Sequence, residues 1–348
     1  MTAEDLLPPC RRRGRAVMLA LLSALALLLP MERAGAAGMR QLQIPADGDR
    51  PAMSGAVWYP CAGEPADIAF GPMTIRAVRD CPVTGGRLPL VVMSHGVGGW
   101  FGGHHDTAVR LADAGFVVAA INHPLDSGRS PLRRPGDLAS MTGRPGDIRR
   151  LIDHMLTGWP EAGRIDRERI GFFGFSRGGF TGLAVIGGVP DFRLLLSDCP
   201  TYPGNRWCEQ VRDGSAFALP IEHDGRIRAA VIADPAAGRL FAGAGLARVS
   251  VPVQLWGSER GGDGVTPADV TTVAEALPVR PEVRVVGGAG HFAFLPPCGE
   301  AFAAAVAAEG EAELCRDEGG FDRAAFHRAF NDAVLAFLAG RLGVAAAR

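Results

Sequence analysis

The chain has 348 residues, 47% of them hydrophobic, and a formal net charge of −1. That length and apolar content allow one large core. The near-neutral balance leaves no basic field to attract nucleic acid or an anionic membrane surface. The chain contains 36 Lys or Arg residues, and all of them are Arg; the uniform spread reads as a coding bias.

The first 37 residues read as a signal peptide. Arg11, Arg12, Arg13 and Arg15 make a positive start, and Ala16 to Leu29 is an apolar run too short for a comfortable membrane span. Pro30 breaks it, and Ala34-Gly35-Ala36 offers small residues for cleavage after Ala36 or Ala37. An uncleaved anchor is the alternative. No Cys follows the run at a lipidation position, and no later stretch is apolar enough to span a bilayer. The expectation is a protein exported to the periplasm or secreted, with residues 38–348 as a single domain. Cysteine usage agrees. Cys10 leaves with the signal, and the remaining six are an even number in an oxidising compartment. Sequence neighbours suggest Cys61–Cys81, Cys199–Cys208 and Cys298–Cys315. A metal site is a poor alternative, since there is no C-x-x-C and no Cys near a His at ligand spacing.

Beyond the signal, strand and helix patterns alternate, which predicts a mostly parallel sheet covered on both faces. Arg40–Ile44 and Gly55–Tyr59 read as early strands joined by a turn at Asp47-Gly48-Asp49. Leu88–Ser94 and Phe116–Ile121 are continuously apolar strands flanking a helix at His104–Ala114. Residues 124–146, rich in Pro, Gly, Arg and Ser, read as a loop at the sheet edge, followed by an amphipathic helix at Asp147–Leu156. Arg169–Phe175 is a strand and Gly178–Ile186 a helix of small residues. Residues 188–225 then interrupt the alternation and are expected to form a lid-like insertion. Within it, Trp207, Tyr202 and Phe217 either line a pocket or pack the insertion onto the sheet. Ile227–Ala233, Val251–Trp256 and Glu282–Val286 complete the strands, with a helix at Pro267–Leu277 and a closing helix at Phe321–Leu342.

Chemistry concentrates at Gly174-Phe175-Ser176-Arg177-Gly178, a G-x-S-x-G motif between an apolar strand and a helix of small residues. Such a motif raises Ser on a strained strand-to-helix turn, with Gly on either side to avoid clashes. The hydroxyl is too weak a nucleophile to attack unaided, so an imidazole must take its proton. His291 lies in the loop just past the last strand and fits that role; His104, His105, His154, His223 and His327 have no such positional argument. Asp263, in the loop after Val251–Trp256, is the first choice for the acid that fixes the His291 tautomer. Asp234, after Ile227–Ala233, is the alternative, and Glu259 is third. An oxyanion hole needs two backbone N–H groups. Arg177 supplies one, and the turn Ser94-His95-Gly96-Val97-Gly98-Gly99 the other, from Val97 or, second, Gly98. His95 is expected to orient that turn.

These residues resemble the α/β-hydrolase superfamily, and within it the bacterial proteins called predicted dienelactone hydrolases, related to platelet-activating-factor acetylhydrolase-like and cutinase-like esterases. The matching pieces are Ala56-Val57-Trp58-Tyr59-Pro60, Ser94-His95-Gly96, Asn122-His123-Pro124, Gly174 to Gly179, Gly290 to Leu295 and Phe321-Asp322-Arg323. True dienelactone hydrolases use a Cys nucleophile, so with Ser176 in place that substrate does not carry over. Related proteins often hold the acid in a compact Asp-x-x-x-Pro stretch. Asp263 and Pro267 keep that spacing, behind a loop lengthened by Arg260-Gly261-Gly262. The resemblance implies an α/β-hydrolase fold and a serine esterase acting on a small-molecule or lipid ester through an acyl-enzyme, with no metal or organic cofactor. A peptidase or thioesterase with the same triad, or a non-catalytic binding protein of this fold, are the competing expectations.

Overall fold

The computed structural model describes residues 36–201, 204–217 and 220–344. The expected signal peptide therefore lies outside the described residues up to position 35, and strand β1 begins at Ala36. Cleavage after Ala36 or Ala37 would fall at the first residues of that strand.

Among the described residues ten strands make one sheet: β1 (Ala36–Ile44), β2 (Met53–Cys61), β3 (Ala66–Phe70), β4 (Met73–Arg79), β5 (Leu88–Ser94), β6 (Val117–Ile121), β7 (Ile165–Phe175), β8 (Ile227–Ala233), β9 (Val253–Ser258) and β10 (Glu282–Val286). Their spatial order is β10-β9-β8-β7-β5-β6-β2-β1-β4-β3. From β6 to β10 every pairing is parallel. The β1–β2, β2–β6 and β3–β4 pairings are antiparallel. The hairpin β3–β4 extends the sheet beyond the strands expected from the sequence. The turn at Asp47 closes by mutual backbone hydrogen bonds with Arg50.

Among the described residues eight α-helices flank the sheet: α1 (His105–Asp113), α2 (Ala139–Thr142), α3 (Arg144–Thr157), α4 (Arg177–Val185), α5 (Arg206–Arg212), α6 (Pro267–Ala276), α7 (Glu300–Ala308) and α8 (Arg323–Leu342). The central strands bury side chains on both faces, as a parallel sheet covered by helices requires. Leu90 and Val92 of β5, Val117 and Ala119 of β6, and Ile232 of β8 pack on one face with Leu151 of α3, Phe180 of α4 and Val273 of α6. Their sequence neighbours Val91, Met93, Val118 and Val231 face the other way, onto Leu111 of α1 and Phe330, Val334 and Leu338 of α8. This period of two explains why the strands read as unbroken apolar runs. Each fully buried large side chain contributes about 1.5–3 kcal/mol.

The insertion at 188–225 forms a 3-10 turn (Phe192–Ser197), then α5 and a second turn (Ser215–Phe217). Phe192, Leu195 and Val211 pack it against the core on the α4 side. Of the three aromatic residues singled out there, Phe217 is half exposed and Trp207 faces the Arg177 guanidinium, 5.7 Å from its ring centre. Tyr202 lies outside the described residues. The bonds Cys61–Cys81, Cys199–Cys208 and Cys298–Cys315 are formed. Among the described residues no helix is long and apolar enough to cross a membrane.

Candidate active site

Parallel register brings the ends of neighbouring strands level. Ser94 of β5 lies beside Gly174 of β7, Phe175 of β7 beside Ala233 of β8, and Ala233 beside Trp256 of β9. The segments that follow these strands therefore meet at one edge of the sheet, where crevices of open α/β sheets form.

Ser176 stands between β7 and α4 with φ 56° and ψ −119°. A left-handed φ is unfavourable for a residue with a Cβ, at about 1–3 kcal/mol. It is held by the Ser176 N–H donating to the Ala233 carbonyl at 2.9 Å, while the Ser176 carbonyl accepts from Gly179 and Ala236. The flanking glycines are obligatory. A Cβ on Gly174 would lie 2.2 Å from the Gly178 carbonyl oxygen, and one on Gly178 would lie 1.9 Å from that of Ser94.

The Ser176 hydroxyl lies 3.0 Å from His291 Nε2. His291 opens a 3-10 turn (His291–Phe294), and its N–H donates to the Gly261 carbonyl at 2.7 Å. Phe175 stacks on its ring at 4.6 Å between centres. His291 Nδ1–H donates to Asp234 Oδ2 at 2.6 Å. Since an ionised carboxylate only accepts, this contact assigns the proton to Nδ1 and leaves Nε2 free to accept from Ser176. All three residues are buried. The Asp234 carboxylate is otherwise satisfied by Ser258, whose N–H donates to Oδ1 at 2.7 Å and whose hydroxyl donates to Oδ2 at 2.8 Å. Ser258 was not among the residues singled out from the sequence.

Asp263 does not occupy the position expected of the acid, and the expectation is corrected here. Gly262 and Val265 exchange backbone hydrogen bonds of 2.9 Å across Asp263-Gly264. Both tip residues have positive φ, 49° and 75°, the backbone of a two-residue type I′ turn that favours Asp-Gly. Asp263 is exposed at that tip. The Asp-x-x-x-Pro spacing reflects the start of α6, where Thr266 and Asp269 form a capping box around Pro267. Glu259 accepts from the Gly288 N–H at 2.6 Å and serves that loop instead.

The two N–H groups expected to face the oxyanion, Val97 and Arg177, donate to no acceptor among the described residues, whereas the Gly98 N–H is committed to the Asp126 carbonyl at 3.2 Å. His95 orients the turn. Its Nδ1–H donates to the Gly96 carbonyl at 2.7 Å, and Nε2 accepts from the His123 N–H at 3.2 Å. That pattern needs a neutral ring, and burial, with the Arg144 cation adding to it, pushes its pKa down to about 3.

Beneath this turn lies a buried network that the sequence did not reveal. Asp126 Oδ1 accepts from Arg177 at 2.8 Å, and Oδ2 accepts from Arg144. Arg144 also donates to the His95 carbonyl and, at 3.1 Å, to the Ser94 hydroxyl. Ser94 Oγ donates to His123 Nε2 at 2.9 Å, and His123 Nδ1–H donates to Asp147 at 3.0 Å. Burial holds the His123 ring well below the usual imidazole range and raises the Asp147 carboxyl to about 7. One carboxylate thus ties the Ser94–Gly99 turn to the residue after Ser176.

Comparison with known proteins adds three findings. A family model described as platelet-activating factor acetylhydrolase, isoform II, matches residues 61–130, which include the Ser94–Gly99 turn and stop before Ser176. No curated protein matches the sequence. Among solved structures, ferulic acid esterase from Streptomyces cinnamoneus is similar over 92% of this chain and 94% of that one, with a TM-score of 0.59 at 19% identity. Likeness at that identity speaks for the fold, which is that of an α/β-hydrolase, and residues 61–130 resemble an esterase family.

Proposed function

We propose that the protein is a serine hydrolase that cleaves carboxylic esters through an acyl-enzyme, with Ser176 as nucleophile, His291 as general base and Asp234 as the acid of the triad. The carrying observation is the continuous chain of hydrogen bonds from the Ser176 hydroxyl through His291 to Asp234. In this reading Ser176 Oγ attacks the ester carbonyl while His291 Nε2 takes its proton, and Asp234 stabilises the imidazolium. The N–H groups of Val97 and Arg177 hold the tetrahedral oxyanion. His291 then returns the proton to the leaving alcohol. A water attacks the acyl-enzyme, giving its proton to His291, and the acid departs as Ser176 regains its hydrogen.

The family-model match and the ferulic acid esterase likeness support ester over amide or thioester substrates. The three disulfides agree with an exported protein, and we place it in the periplasm or outside the cell. A panel of p-nitrophenyl esters, peptide anilides and acyl thioesters tests the activity, alongside labelling by a fluorophosphonate. Ester cleavage that dominates the panel, with labelling lost in Ser176→Ala, is the expected result. Dominant anilide or thioester cleavage transfers the reading to a peptidase or thioesterase, and an unlabelled wild type leaves a binding protein.

A further inference from the structure

The loop after β6 carries Arg129, Arg133 and Arg134, and they are not equivalent. Arg129 lies over Trp100, 4.2 Å from the ring centre. Arg133 lies against the oxyanion turn instead. A Cβ built on Gly98 would sit 3.1 Å from Arg133 Nη2 and 3.6 Å from Cζ. Gly98 directly follows Val97, one of the two proposed oxyanion donors, and its positive φ of 65° suits a residue without a side chain. The guanidinium thus occupies space that any other residue at 98 would fill.

The backbone beneath it is pinned. The Arg133 N–H donates to the Ser130 carbonyl at 3.3 Å, and the Arg134 N–H to the Leu125 carbonyl at 2.9 Å. Ser130 Oγ donates to the Pro124 carbonyl at 2.5 Å. Arg133 is exposed and has no acidic partner among the described residues. The nearby Asp126 carboxylate cannot serve, since Arg144 and Arg177 each occupy one of its oxygens. Arg177 feels the positive charge of Arg133 and the negative charge of Asp263. Arg144 and Arg177 are thus both held by the buried Asp126 carboxylate, and the exposed Arg133 guanidinium at Gly98 has no such partner among the described residues.

We infer that Arg133 recognises a carboxylate on the substrate, so that the site takes esters whose acyl or alcohol part carries an anionic group near the scissile bond. A planar guanidinium meets a carboxylate by paired N–H donors, a geometry an ammonium cannot copy. The inference rests on the ester-hydrolase reading.

The test compares kcat/KM for two matched pairs. In one the charge is on the acyl side: mono-p-nitrophenyl adipate against p-nitrophenyl hexanoate. In the other it is on the alcohol side: 4-acetoxybenzoate against phenyl acetate. For at least one pair, Arg133→Gln is expected to lower the anionic-to-neutral ratio about tenfold, with partial recovery in Arg133→Lys, while Arg134→Gln leaves it within twofold of wild type. Added salt should lower the wild-type ratio. If Arg133→Gln moves neither ratio, or Arg134→Gln moves them equally, the inference fails while ester hydrolysis stands. A wild type that cleaves none of the four esters removes both readings.

Discussion

A carboxylate can hold an imidazole in one tautomer only if it is dry, and it stays ionised when dry only if its other lone pairs are filled. Asp234 meets both conditions: it is 1% exposed and accepts from the Ser258 N–H and hydroxyl as well as from His291. Asp263 meets neither, at the open tip of its Asp-Gly turn. Asp234→Asn is therefore expected to lower kcat by about 10³–10⁴, as loss of the tautomer-fixing acid does elsewhere, whereas Asp263→Asn stays within a few-fold of wild type. Steady-state kinetics on one p-nitrophenyl ester decide it, and a reversed order would remove Asp234 from the triad. Ser176 and His291 were legible because a G-x-S-x-G bend and a His after the last strand are defined by chain position. The carboxylate that bonds to His291 was not, because both Asp residues follow a strand ending at the same edge. What separates them is where each side chain points, and the one local signal, Asp263-Gly264, marks a hairpin turn rather than an acid.

At the scale of elements, the loop bearing His291 is braced from behind by α8. His327 of that helix faces the Ala293 carbonyl with Nε2 at 3.0 Å and Asp106 of α1 with Nδ1 at 2.7 Å. Asn331, one turn on, donates to the same Asp106 oxygen at 2.8 Å and accepts from Thr107 at 2.6 Å. Two helices and the 3-10 turn at His291 are thus joined through one imidazole. His327→Leu leaves the buried Ala293 carbonyl without that partner, at a cost of about 1–3 kcal/mol. Its expected signature is a fall in kcat of about tenfold with KM little changed, because the proposed base, His291, is displaced while the groups that would bind substrate are not. His327→Gln, which can donate to one of the two acceptors, should recover part of it. Equal loss of stability with an unchanged kcat would make the brace purely structural. Most strands were legible as elements, since apolar runs bounded by Gly and Pro announce themselves. The hairpin β3–β4 was not, because its edge position leaves alternate residues exposed and no continuous apolar run. Contacts such as His327 to Ala293 join residues far apart in sequence, and no local pattern encodes them.

Across the whole molecule, the sheet buries uncharged rings that the unfolded chain would protonate. Burial pushes His95 and His104 down to about 3, and holds His123 well below the ordinary imidazole value of about 6.5. Below that ordinary value the unfolded chain takes up protons that the folded one refuses. Stability is therefore present above about pH 6.5 and drains away as pH falls towards the folded values. Asp147 acts in the opposite sense. Its carboxyl, raised to about 7, keeps its proton in the fold after the unfolded chain has lost it, so it adds stability as pH falls from about 7 to 4. His105 and His154, also lowered by burial, act with these rings, and Asp113, raised by burial, acts with Asp147, so the rings outnumber the carboxyls and stability falls as pH drops below about 6.5. Against a typical total of about 5–15 kcal/mol, that loss narrows the margin of stability before ordinary carboxylates titrate. Urea midpoints measured from pH 7.5 to 4.5 should fall steeply below pH 6.5. His104→Phe should flatten the slope by about 1.4 kcal/mol per pH unit, because its ring packs between Phe173 and Phe175 with Nε2 unpartnered. A midpoint that holds steady from pH 6.5 to 4.5 would mean that these rings reach water, and that the oxyanion turn resting on His95 is looser than its hydrogen bonds imply.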